Sequence, residues 1–246
     1  MATSIQDLRV RKNGKYTTLF GVGECWADFP TIKEWLTETN MLSDNRACAF
    51  DFPLHYRLRD LRDTYGYSLR ELAKPGTLSS NFPLNSVTFV DDHDTDDKEP
   101  IINDKMLAYA YILTHEGYPW VFWKDYFNYH LAKEGTPNGI EALIRIHEQY
   151  AGGTTSVLHA DDDLHIMERN GTDKQEGLIF VLNNRGDAWN GRWVKTKWQS
   201  TKLTPTAWGT NAGNIEAPME KWTQSEGWGE VYSPPRGYAV YITQHQ

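Results

Sequence analysis

Cysteine is nearly missing from this chain: two thiols, Cys25 and Cys48, in 246 residues. A pair in a chain this long makes no disulfide framework. Both flank strand-like runs, where a thiol serves as a small buried side chain. Cations are also short, with 25 Lys and Arg against 33 Asp and Glu, for a net charge of −8. No basic stripe interrupts that deficit, so nucleic acid and anionic membrane surfaces are excluded as expected partners. No apolar run approaches the roughly 20 residues that cross a bilayer. Residues Met1 to Tyr16 carry charges with no apolar core behind them, so no signal peptide is expected.

Aromatics, in contrast, are plentiful, with 10 Trp and 13 Tyr. Trp189, Trp193, Trp198, Trp208, Trp222 and Trp228 crowd the last quarter of the chain. Most are expected to pack sheets, and one or two could stack on the apolar face of a sugar. The length suits one large domain or a medium and a small one.

The segment Phe89 to Thr95, FVDDHDT, stands out. The short apolar run Val87-Thr88-Phe89-Val90 reads as a strand buried on both faces. It stops in a cluster of carboxylates around His93, and in α/β proteins ligands gather at such strand ends. A solvated acidic loop is the plainer reading.

Strand and helix signals alternate about four times over the first 150 residues. Thr17 to Gly23 reads as a strand, and Pro30 opens a helix over Thr31 to Thr39. Cys48 to Phe50 is a strand, with a helix from about Leu54 to Asp63. Ser86 to Val90 is the third strand, and the run Met106 to Leu113 is a helix stopped by Gly117 and Pro119. Trp120 to Trp123 reads as the fourth strand, and Gly139 to Tyr150 as its helix. Such alternation means parallel strands with right-handed crossovers. After Gly153 the pattern becomes all-β. Strands are expected at Val157-Leu158, His165 to Met167, Leu178 to Leu182 and Tyr238 to Ile242, with turns at Asn170-Gly171, Asn183-Asn184 and Asn190-Gly191. The expected fold class is thus α/β with an antiparallel all-β module after it, the boundary falling near residue 155.

Glu24 and Asp94 each follow a strand. Parallel strands present their C-terminal ends on one face, so the two carboxylates can share a cleft. Glycoside hydrolysis requires such a pair. His93 could hold a sugar hydroxyl, and Trp26 could stack on a ring. The rival reading gives Asp91, Asp92, His93, Asp94, Asp96 and Asp97 to a metal, although their spacing fits neither a calcium loop nor a zinc helix. A sugar-phosphate enzyme would want a glycine-rich phosphate loop, and Gly152-Gly153 is too isolated for one. His115, His130 and His147 read as surface or packed histidines. Asp161-Asp162-Asp163 reads as a turn.

These motifs resemble the C-terminal half of an α-amylase of the large retaining α-glucan hydrolase family. Ser86 to Thr95 is similar to the motif ending the seventh barrel strand. Gly21-Val22-Gly23-Glu24-Cys25-Trp26 is similar to that ending the fifth, and Phe50 to Leu54 to the sixth-strand segment. Gly117 to Phe127 is similar to the eighth, and Gly227-Trp228-Gly229 with Pro234 to Tyr238 resembles the family's C-terminal β domain. The resemblance implies a partial (β/α) barrel, strands five to eight, over residues 1–155 and an antiparallel β-sandwich over 156–246. It implies an α-1,4-glucan or maltooligosaccharide as substrate, Glu24 as general acid/base, and Asp94 and His93 as holders of sugar hydroxyls. Asp92 stands where the family usually has Asn, and the extra charge could raise its neighbours' pKa.

By the same resemblance the first four strands, the nucleophilic aspartate and the calcium-binding domain have no counterpart. Calcium is thus possible by resemblance without its usual holder. Ile5 to Arg11 looks like the end of the preceding helix, and the chain reads as a truncated amylase. An open half-barrel exposes sheet edges and an apolar inner face, so a homodimer that completes the barrel is expected. Asp51 and Asp28 are weak candidates for a carboxylate supplied by the partner. A catalytically dead glucan-binding chain is the alternative function. The family is often secreted, which leaves localisation open.

Overall fold

A computed structural model describes residues 10–12, 15–17, 20–41, 47–210 and 215–244. The chain opens with a hairpin, β1 (Val10–Lys12) against β2 (Lys15–Thr17). Then come β3 (Gly21–Gly23), α1 (Phe29–Met41), β4 (Ala47–Phe50) and α2 (Phe52–Asp63). A short α3 (Leu78–Asn81) leads into β5 (Ser86–Phe89), α4 (His93–Lys98), α5 (Lys105–Thr114), β6 (Tyr118–Trp120) and α6 (Ile140–Tyr150).

Strands β3, β4, β5 and β6 form one parallel sheet in sequential order. Sequential order without reversal is the winding of a barrel segment; a doubly wound sheet would reverse. Every residue of β5 is buried, as its unbroken apolar run requires.

Two expected strands are corrected. Among the described residues of the Thr17-to-Gly23 run, Gly21–Gly23 enter the parallel sheet, whereas Thr17 pairs with β1. The fourth strand is Tyr118–Trp120 and not Trp120 to Trp123. Pro119 is tolerated there because β6 pairs on one side only, and the chain then leaves the sheet into a π-helical turn over Lys124–Asn128. Val10–Lys12 is a strand where a helix end was expected; Ile5 to Arg9 lie outside the described residues.

The all-β part holds β7 (Thr155–Ala160), β8 (Leu164–Arg169), β9 (Leu178–Asn183), β10 (Asn190–Lys195), β11 (Lys202–Thr210), β12 (Lys221–Trp222), β13 (Trp228–Ser233) and β14 (Gly237–Gln244). Six of these make an antiparallel sheet in the order β12-β11-β14-β9-β8-β7, and β10 pairs with β13 separately. Asn190 and Gly191, expected in a turn, are paired strand residues opposite Ser233 and Tyr232.

Alternate residues of the large sheet point to two different cores. Met167, Leu178, Phe180, Tyr238 and Val240 pack with α5 and α6. Ile166, Ile179, Val181, Ala239 and Tyr241 pack against Val194 and Val231 of the small sheet. Helix α5 therefore lies within the protein, buried from Leu107 to Thr114, which is why it is apolar all round. Polar ties cross the same junction. Arg236 Nε meets Asp104 Oδ2 at 2.7 Å, and Arg169 donates to the Thr114 carbonyl at 3.0 Å.

Candidate active site

The site is built on the C-terminal edge of the parallel sheet. Gly23 stands in register with Ala49, and Ala49 with Ser86. Glu24 leaves β3 at this edge and is exposed. A side chain at Gly23 would collide with the Trp35 ring at 2.3 Å, so the strand carrying Glu24 must lie tight on α1.

Trp26 follows two residues later, 37% exposed. Phe52 stacks on it at 5.1 Å between ring centres, with 13° between the planes. Its indole N–H donates to the Tyr56 hydroxyl. The Lys98 ammonium lies over the ring, 5.1 Å from its centre. The same ammonium is 3.3 Å from Asp94 Oδ1, and His93 Nε2 is 3.5 Å from Asp94 Oδ2. Trp26, His93 and Asp94 are thus brought together, with Lys98 as the link. Glu24 shares their sheet edge.

Asp92 has a different task. It is the N-cap of α4, and its Oδ1 accepts from Asp94 N at 3.0 Å and Thr95 N at 2.8 Å. Thr95 Oγ1 accepts in return from Asp92 N at 2.9 Å, closing a capping box. The carboxylate is buried rather than turned to solvent. Asp is a good cap, so Asp92 fixes where His93 and Asp94 begin.

Beneath this rim lies a network that sequence reading missed. Lys105 Nζ sits 2.7 Å from Asp91 Oδ2 and 2.7 Å from Asp125 Oδ1, and the Tyr109 hydroxyl donates to Asp125 Oδ2 at 2.5 Å. Burial pushes the Asp91 carboxyl up to about 6, against the pull of Lys105. The Lys105 ammonium is raised as well, since the attraction of two acids outweighs its own burial. Both directions agree with two carboxylates sharing one cation: the surplus negative charge favours a proton on either partner. The lysine sits at the start of α5, but nothing in its spacing signals its partners.

Asp51 is buried and cannot be offered to a partner chain. It caps α2 through Leu54 N at 3.1 Å and also accepts from Leu78 N, Ser79 N and Ser86 Oγ. Burial raises its pKa against these bonds. Asp28 is exposed and accepts from Thr31 N at 3.1 Å.

The acidic run does not fit a metal. Asp91 is engaged by Lys105, Asp92 by helix N–H groups, and Asp96 by Lys124 at 2.8 Å. Among the described residues no three His, Cys, Asp or Glu side chains gather to hold an ion. Asp161 accepts from Asp163 N and Leu164 N, as a turn residue does.

Comparison with known proteins bears on this arrangement. Residues 178–242 match the model of the α-amylase C-terminal domain. An α-amylase type B isozyme of Hordeum vulgare is 32% identical over 116 residues, which cover 44% of this chain and 69% of that protein. The chain belongs to the α-amylase family. The α-amylase of Bacillus licheniformis is 30% identical to this family member over 245 residues, 94% of the chain and 45% of the Bacillus protein. The chain thus spans less than half the length of that relative. The crystal structure of the γ-CGTase from alkalophilic Bacillus clarkii has the same fold, with a TM-score of 0.65 at 17% identity over 94% of this chain and 37% of its own.

Proposed function

We propose that this chain is an amylase-type glycoside hydrolase segment acting on α-1,4-glucans, with Glu24 as general acid/base. The observation that carries the reading is the gathering of Trp26, His93 and Asp94 around Lys98 at the strand edge from which Glu24 projects. In this reading Trp26 supports a sugar ring, and His93 and Asp94 accept or donate to its hydroxyls. Asp92 acts as the cap that orients them. Strands β3 to β6 take the places of barrel strands five to eight, and the β domain begins after residue 155.

Asp94 is already paired with Lys98 at 3.3 Å and His93 at 3.5 Å, which suits holding a sugar hydroxyl better than direct attack.

Phe20, Val22, Tyr118 and Trp120 are exposed on β3, β6 and the residue preceding β3. A second copy of the chain covering these residues fits such an apolar patch. Light scattering after size exclusion tests this, and a well-folded monomer would refute it.

A glucan-binding chain that does not cleave is the second reading, since the chain spans less than half of the Bacillus licheniformis relative. Reducing-sugar release from soluble starch separates the two. Hydrolysis that drops at least a hundredfold in Glu24→Gln supports the acid/base role. Equal release by both proteins overturns it. Tight maltooligosaccharide binding with no release by either supports the second reading.

A further inference from the structure

Helix α4 carries His93 and Asp94 but has no apolar side chain to bury. It reads His93, Asp94, Thr95, Asp96, Asp97 and Lys98, and of these Thr95 is the buried one. A helix this short does not persist on its own hydrogen bonds. Helices in proteins are ordinarily fixed by an apolar face. The orientation of α4 therefore depends on polar contacts.

Those contacts converge on one ammonium. Lys105 Nζ reaches carboxylates from three segments: Asp91 after β5 at 2.7 Å, Asp96 in α4 at 3.9 Å, and Asp125 in the π-helical turn at 2.7 Å. The Asp91 and Asp125 side chains are fully buried and Lys105 is nearly so, so salt and solvent screen these attractions little. Asp91 turns its other oxygen to α4. Its Oδ1 accepts from the Thr95 hydroxyl at 3.3 Å and from Ile101 N, beyond the end of the helix, at 3.4 Å.

The π-helical turn, a form that recurs at functional sites, adds a second hold. Its first two residues reach neighbouring partners. Lys124 Nζ is 2.8 Å from Asp96 Oδ2, and Asp125 meets Lys105. The Tyr129 hydroxyl donates to Asp96 Oδ1 at 3.3 Å, and the Lys105 ammonium lies over the Tyr129 ring, 5.0 Å from its centre.

Lys105 also breaks a local rule. It opens α5, where the helix dipole disfavours a cation, and no acid stands in that first turn to offset it. Asp104 before it is left-handed, φ 53°, and its side chain caps no helix N–H. A poor helix start is a local cost, kept here for a long-range contact.

We propose that Lys105 is a positioning residue of the candidate site: through Asp91 and Asp96 it fixes the orientation of α4, and with it the places of His93 and Asp94. Its consequence for glucan rests on the function proposed above; its hold on α4 does not. The test is amide hydrogen exchange at Asp94, Thr95 and Asp96 in α4, with Val240 of β14 as the core reference. Lys105→Met removes the charge and keeps the stem, and Lys105→Arg restores the charge. Lys124→Met removes the more exposed partner of Asp96 and serves if Lys105→Met does not fold. The α4 amides should exchange about tenfold faster in Lys105→Met, about threefold faster in Lys124→Met and near the wild-type rate in Lys105→Arg, with Val240 changing less in each. Unchanged α4 exchange in both Met variants, or a rise only in step with Val240, overturns the proposal. Maltotriose, titrated into the same samples, should bind roughly fivefold more weakly to Lys105→Met, because its holding groups are no longer preorganised. A freed α4 with unchanged maltotriose affinity upholds the hold of Lys105 on α4 and refutes instead the placing of sugar at His93 and Asp94.

Discussion

Lys98 holds its ammonium group over the Trp26 ring, 5.1 Å from the ring centre. The residues belong to different βα units, and the contact joins their strand ends into one rim. Asp94 completes it from one turn before Lys98 on α4, at 3.3 Å. Both contacts are solvent-exposed, with Lys98 61% and Asp94 38% accessible at the side chain. Such pairs contribute under about 1 kcal/mol. Lys98→Met should therefore shift Tm by no more than about 2–4 °C. It should weaken maltooligosaccharide binding severalfold, because the rim loses its clamp. Differential scanning calorimetry and titration calorimetry on the same sample check both halves.

Asp92 discriminates cap from ligand. Asn caps a helix about as well as Asp, so Asp92→Asn should leave stability within about 0.5 kcal/mol and sugar affinity nearly unchanged. Asp92→Ala removes the acceptor for two amides and should lower stability by about 1 kcal/mol. A large affinity loss in Asp92→Asn, with unchanged stability, would show instead that its charge meets the sugar.

Asp51 should be far more sensitive. Its side chain serves three backbone amides and the Ser86 hydroxyl with no exposure to solvent. Each donor left unpaired costs about 1–3 kcal/mol. Asp51→Ala is expected to lose at least about 3 kcal/mol in urea denaturation, and Asp51→Asn, which keeps one acceptor, clearly less.

A histidine pair makes stability depend on pH. His165 is buried 5.7 Å from His115 between ring centres, with Tyr111 and Phe180 packed around them. Burial, reinforced by the charge of His159, lowers the His165 pKa to about 4. Burial likewise holds His115 low, together with the charges of His165 and Arg169. The folded pKa lies below the unfolded value of about 6.5, so the unfolded chain takes the proton first. The stability linked to neutral His165 is full above pH 6.5 and is lost as pH falls toward 4, by about 3 kcal/mol. Thermal melts between pH 7 and 4 should show this slope in wild type and a shallower one in His165→Phe.

Much of the fold is legible because burial is written into unbroken apolar runs. Ser86 to Phe89, Leu178 to Leu182 and Tyr238 to Ile242 are covered on both faces, and each reads as a strand. The helix from Lys105 to Thr114 is legible for the same reason. Strands β10 and β11 are not. Arg192 and Trp193 face solvent, so β10 lacks an apolar run. Pro205 argues against a strand at β11 and is accommodated only by a register shift before Ala207. At the site, Glu24, His93 and Asp94 are visible from their positions after strands. The cap formed by Asp92 is equally visible, since Thr95 stands three residues on, within a cluster of charge that also suits a ligand. Lys98 and Lys105 act only through contacts that folding creates between distant segments, and no local pattern marks them.

Titration of a maltooligosaccharide into wild type and Asp94→Ala tests the glucan-holding rim most directly. Asp94 is partly exposed and its loss should leave the fold intact. Binding weakened at least tenfold with an unchanged melting curve is the expected result. Unchanged affinity in Asp94→Ala would contradict the claim that Trp26, His93 and Asp94 form one glucan-holding rim.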